Sequence, residues 1–154
     1  MSVIEQRIEE AGYTLPAVGK PLAAYVPTMR DGDNVYTSGQ LPLDEGKLAG
    51  TGKVGDTVSV EDAAGLARTC VLNALAAIKA EIGDLDKVSQ ITKVVGFVSS
   101  ASDFAEQHIV VNGASEFLSH IFQDKGTHAR SAVGVAMLPM NAPVEVEMIV
   151  KVTD

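Results

Sequence analysis

A chain of 154 residues, 46% hydrophobic and 21% charged, has the size and composition of one folded domain, which excludes a fibre or a disordered tail. Its 12 Lys plus Arg against 20 Asp plus Glu leave a net charge of −8. With no Trp, three Tyr and four Phe, it has neither a cationic stripe for phosphates nor aromatic platforms for bases, so nucleic acid is not an expected partner. A single cysteine, Cys70, excludes an intrachain disulfide and points to a reducing, cytoplasmic location. No run approaches the roughly 18 apolar residues of a membrane span. The opening MSVIEQRIEE is acidic where a secretory leader is basic and then apolar, so no membrane partner is expected.

Residues 3–11 place Val3, Ile4, Ile8 and Ala11 at helical spacing behind Ser2, with Glu5 three residues on as in a capping box, which predicts a short amphipathic helix. Residues 25–40 hold two β-prone runs around Asp31-Gly32-Asp33-Asn34, a hairpin turn. Residues 41–58 are rich in Gly, Asp and Lys and read mostly as loop, with a short strand near 47–48. From about 60 to 82, Ala63, Leu66, Ala67, Cys70, Val71, Ala74, Leu75, Ile78 and Ile82 form one helical stripe that ends at Gly83. Cys70 lies in that stripe and reads as a small core side chain. Residues 88–99 are apolar on both parities, as in a strand covered on both faces. A second helix is expected over 103–122, then strands over 131–138 and 144–152 joined by Pro139-Met140-Asn141-Ala142-Pro143.

That order predicts a single α+β domain over 1–154, with a mixed sheet and two long helices on one face. In the last strand Val144, Val146, Met148, Val150 and Val152 share a parity that can face the helices, and Glu145, Glu147, Ile149 and Lys151 lie opposite. The other sheet face is still apolar, so a second subunit is expected to cover it.

Most motif matches carry little. Gly50-Thr51-Gly52-Lys53-Val54-Gly55 fits GxGxxG without the strand before it and the helix directly after it that dinucleotide binding needs. No GxxxxGK[ST] or GxSxG occurs. His108, His120 and His128 have no metal-ligand spacing, although His120 and His128 remain candidates for the neighbourhood of a pocket.

The stretch from Arg130 through Val135, Leu138 and Pro139 to Val144-Glu145-Val146-Glu147 fits R-x-x-x-x-V-x-x-L-P followed by V-E-[IVM]-[DE]. It resembles the signature of the Rid (reactive intermediate deaminase) family, also called YjgF-like or endoribonuclease L-PSP, whose fold is chorismate-mutase-like. Tyr25-Val26, Thr37-Ser38-Gly39-Gln40 and Val111-Asn112 with Glu116 add to the resemblance. It covers about residues 20–152 and leaves the helix at 1–12 as an addition.

The resemblance implies a homotrimer whose sheets form an inner barrel, with ligand pockets in the clefts between subunits. It implies hydrolysis of enamine or imine acids to 2-keto acids and ammonia, without metal or cofactor. Arg130 would hold the substrate carboxylate, a task suited to a planar guanidinium with two parallel N–H groups. Glu145 would orient or activate water, and Gly39 and Ala132 would offer backbone groups. Tyr25, Ser38 and Asn112 would line the pocket. Arg130 and Glu145 are expected on adjacent strands, with their side chains in one cleft. A non-catalytic ligand-binding or regulatory trimer is the alternative, and endoribonuclease ranks last.

Taken alone, each residue has an ordinary reading: an edge-strand arginine, an exposed glutamate face at Glu145 and Glu147, a turn glycine at Gly39, a locally bonded Ser38. The chain also departs from the family pattern, with Ala132 where a cysteine is common and Thr127-His128-Ala129 where Pro-Ala precedes the arginine.

Overall fold

The computed structural model describes residues 2–18 and 24–154, so residues 20–23, where the resemblance begins, lie outside the described residues. Helix α1 (Val3–Glu10) starts at Ser2, whose Oγ accepts the Glu5 N–H at 3.0 Å. Only half of the expected capping box forms, because the Glu5 carboxylate pairs with Lys79 at 2.8 Å instead of turning back. Strands β1 (Thr28–Asp31) and β2 (Asn34–Thr37) form the expected hairpin, and Gly32 supplies the positive φ of its turn. Within the loop region, β3 (Leu43–Asp44) and β4 (Lys47–Leu48) make a small separate hairpin.

Helix α2 (Val60–Ile82) has the expected bounds. Ser59 Oγ caps the Asp62 N–H, and Gly83 ends the helix at a φ of 86°. By length and composition α2 passes as a membrane span, yet its stripe from Ala63 through Cys70 to Ile82 is buried in the core. Strand β5 (Val88–Ser99) follows, then α3 (Gln107–Phe122), β6 (Ala129–Val135) and β7 (Val144–Val152). Helix α3 starts four residues later than expected, since Phe104 N–H closes a turn onto Ala101 O. Strand β6 runs 129–135, not 131–138: its ladder follows β5, and the pairing ends where β5 ends, at Ser99 opposite Val135.

The five-stranded sheet has the order β1-β2-β7-β5-β6, antiparallel except for β5 with β6. Strands β6 and β7 are therefore not neighbours, contrary to expectation. In a parallel pair the chain must cross over between strands, and α3 is that crossover. The helices lie on one face, and close approach explains two glycines. A Cβ on Gly96 would stand 2.7 Å from Val111 Cγ1, and one on Gly113 would stand 2.9 Å from Ala64 Cα.

The β7 alternation holds, with Val144, Val146, Met148, Val150 and Val152 buried beneath the helices. Strand β5 departs from its expected double cover. Val94, Gly96 and Val98 are buried on the helix side, whereas Val95 and Phe97 are only half-buried on the other. Register places Tyr36, Ile149 and Val133 on that same open face, leaving an apolar surface that the described residues do not cover.

Candidate active site

Arg130 stands second in the edge strand β6, in register with Val94, and its side chain therefore lies on the helix side. There it meets one stripe of α3, because positions 108, 112 and 115 recur at helical spacing. Nη1 donates to Asn112 Oδ1 at 2.8 Å and to Ser115 Oγ at 3.2 Å, and Nη2 donates to His108 O at 3.3 Å. A guanidinium has five N–H groups. Nε–H and one Nη2–H, on adjacent nitrogens, have no partner among the described residues, and neither does Arg130 have an acidic partner there. Ala132, two residues on, shares this face and packs at the margin of the core.

Glu145 belongs to a second group. Paired with Phe97 in β7, it projects from the open face, half-buried. Burial first, and the neighbouring Glu147 carboxylate second, raise its carboxyl above the ordinary value. Gly39 lies against it: a Cβ there would stand 2.9 Å from Glu145 Cδ. The segment that carries Gly39 is fixed by Gln40, which exchanges backbone hydrogen bonds with Val146 at 2.8 and 3.0 Å, and by Ser38, whose Oγ donates to Val26 O at 2.6 Å. Tyr25 precedes Val26 and is 63% exposed.

The expected residues thus fall into two groups, Arg130 with Asn112 and Ala132, and Glu145 with Gly39, Ser38 and the adjoining Tyr25. Strand β5 and the thickness of the sheet lie between them, so in one chain Arg130 and Glu145 do not share a cleft. Sequence reasoning missed Ser115, whose signal was its spacing of three from Asn112, and named His128 only as a candidate for the neighbourhood of a pocket. His128 Nε2 lies 2.9 Å from Ser115 Oγ, and Nδ1 lies 2.6 Å from Gly126 O. Cys70 is fully buried, and burial first and Glu145 second push its thiol well up, as suits a core residue and not a nucleophile.

Residues 5–152 match the family described as YjgF/chorismate mutase-like, a description that also carries an endoribonuclease label. The crystal structure of Atu1372 from Agrobacterium tumefaciens shares 47% identity and a TM-score of 0.93, covering 98% of this chain and 93% of that one. Protein TCP17 of Trypanosoma cruzi is 37% identical over 152 residues, which is 98% of this chain and 95% of that protein. A 2-iminobutanoate/2-iminopropanoate deaminase of Salmonella typhimurium is 35% identical over 130 residues, 83% of this chain and 87% of that protein. The family match takes in most of α1, which the sequence resemblance had left outside. With the fold, the Arg130–Glu145 signature and these matches in agreement, the chain belongs to the YjgF/Rid family.

Proposed function

We propose that this protein is an imine deaminase that hydrolyses 2-imino acids to 2-keto acids and ammonia, with each active site assembled from two copies of the chain. The observation that carries this reading is the Arg130 fork. Three acceptors hold it, and among the described residues two N–H groups on adjacent nitrogens have no partner and no carboxylate neutralises it. A ligand carboxylate fits that vacancy through two charge-assisted hydrogen bonds. The substrates in the name of the Salmonella relative carry such a carboxylate next to the imine carbon.

The chemistry asks for little more. The imine carbon is electrophilic, so water adds to it as the nitrogen takes up a proton, and loss of ammonia leaves the keto group. A half-buried carboxyl with a raised pKa is suited to take a proton from the attacking water and return one to the leaving nitrogen. Glu145 has that character, but it lies across the sheet from the Arg130 of its own chain. The open apolar face around Tyr36, Val95, Phe97 and Ile149 gives a second copy a surface to bury, and a closed trimer joins the Glu145 group of one copy to the Arg130 group of the next. Asn112, Ala132, Ser38, Gly39 and Tyr25 line the composite pocket, and neither metal nor cofactor enters the reaction.

The test is a coupled assay in which an amino-acid oxidase or a PLP-dependent dehydratase generates 2-imino acids and keto-acid release is followed. Acceleration by the protein above the spontaneous rate is expected. Pyruvate binding without any acceleration would favour the non-catalytic trimer. Net charge −8 with no basic stripe makes tight RNA binding at physiological salt the outcome that would bring the endoribonuclease reading back.

A further inference from the structure

We propose that Ser115 and His128 are positioning residues that fix which edge of the Arg130 guanidinium meets a ligand carboxylate; this rests on the reading of Arg130 as the carboxylate anchor. The hydrogen-bond chain has a direction set by chemistry. His128 Nδ1 lies 2.6 Å from Gly126 O, a carbonyl that only accepts, so Nδ1 carries the hydrogen. In the neutral ring Nε2 is then an acceptor, and the Ser115 hydroxyl at 2.9 Å donates to it. With its proton committed, Ser115 Oγ turns its lone pairs to Arg130 Nη1 at 3.2 Å. The polarity runs from Arg130 through Ser115 and His128 to Gly126.

Asn112 and Ser115 together use both hydrogens of Nη1. A carboxylate therefore cannot bind end-on across Nη1 and Nη2 without displacing one of them, and the unused N–H groups lie on Nε and Nη2. Without the His128 acceptor the Ser115 hydroxyl is free to rotate, and it can present its own hydrogen to the guanidinium. The backbone anchor of this device is equally constrained, since a Cβ at Gly126 would stand 2.6 Å from Leu118 O.

The test uses the intact oligomer, with pyruvate as the carboxylate probe and imino-acid turnover as the kinetic readout. Ser115→Ala and His128→Ala are each expected to raise KM and the pyruvate Kd about tenfold, the scale of one hydrogen bond to a charged group, with kcat within about twofold. Because both act through one chain of bonds, the double variant should lose no more than the worse single. Ser115→Thr, which keeps a hydroxyl, should restore binding. A measurement on the wild-type protein stands apart from any folding defect: imidazole 15N shifts should show His128 as the Nδ1–H tautomer at pH 8, and the Nε2–H tautomer would overturn the proposal. Pyruvate binding that is lost in Arg130→Lys but kept in Ser115→Ala and His128→Ala overturns this proposal alone. Binding unchanged in Arg130→Lys overturns the anchor reading and this proposal with it.

Discussion

The Glu145 carboxylate occupies the space a side chain at Gly39 would need: a Cβ there would stand 2.9 Å from Glu145 Cδ. The backbone around Gly39 cannot yield, because Gln40 is bonded to Val146 in both directions. Gly39→Ala should therefore move the carboxylate and leave the strands in place. A displacement of about 1 Å costs on the order of 100-fold in a positioned catalytic group. The expected result is a loss of kcat of that order with pyruvate binding kept, read from turnover and isothermal titration on the same sample.

Glu145 also has a signature in stability. Its carboxyl is raised in the fold, by burial first and by Glu147 second. The folded state then holds a proton that the unfolded chain has released, so this contribution to stability is fully present below the ordinary glutamate pKa and is lost as pH rises through the raised one. Glu145→Gln should remove that dependence. In urea unfolding across this window, the wild type should lose stability relative to the variant as pH rises, and parallel curves would mean that Glu145 is no more perturbed than a solvated glutamate.

Asp86 has the opposite sign. Burial alone pushes its carboxyl up, but the N–H groups of Ile4 and Val3, then the Ser2 side chain and Lys125, more than offset this and hold it below the ordinary value. Its contribution is present above the ordinary aspartate pKa and is lost as pH falls through the lowered one. Asp86→Ala removes the acceptor at the start of α1 and should cost about 0.5–2 kcal/mol, as for the loss of a helix cap. Amide exchange at Val3 and Ile4 should accelerate in the variant, and in the wild type at low pH.

Where the signal is local, the sequence was readable. Helix α2 carries its own Ser59 cap, its apolar period and its terminating Gly83, and β7 carries a strict alternation, so both were found at their bounds. Strand β6 departs from its expected bounds because its end depends on where β5 stops, at Ser99, which nothing in residues 131–138 encodes. Strand β5 is apolar on both parities, but among the described residues only the helix layer covers it. The signature singles out Arg130 and Glu145 as candidates, whereas their placement on opposite faces depends on β5 entering between two strands that follow each other in sequence. Ser115 carried only its spacing of three from Asn112 as a signal, since a helical serine reads as a solvated residue until an arginine is placed beside it.

The separation of Arg130 from Glu145 across β5 can be tested with mixed oligomers. If one active site draws on two copies, Arg130→Lys and Glu145→Gln spoil different halves of it, and both pure proteins should be nearly inactive. Arg130→Lys loses the fork and with it the substrate, while Glu145→Gln binds but does not turn over. When the two variants are unfolded together and refolded as mixed oligomers, some interfaces join the intact Arg130 of one variant to the intact Glu145 of the other. With equal amounts and random assembly into a closed ring, each interface has about a one in four chance of that combination, so about a quarter of wild-type turnover should return. A site contained within one chain predicts no recovery at all, because every copy in the mixture still carries a defect. Recovery that rises and falls with the mixing ratio, greatest at equal amounts, would identify the interface between copies as the place where the chemistry occurs.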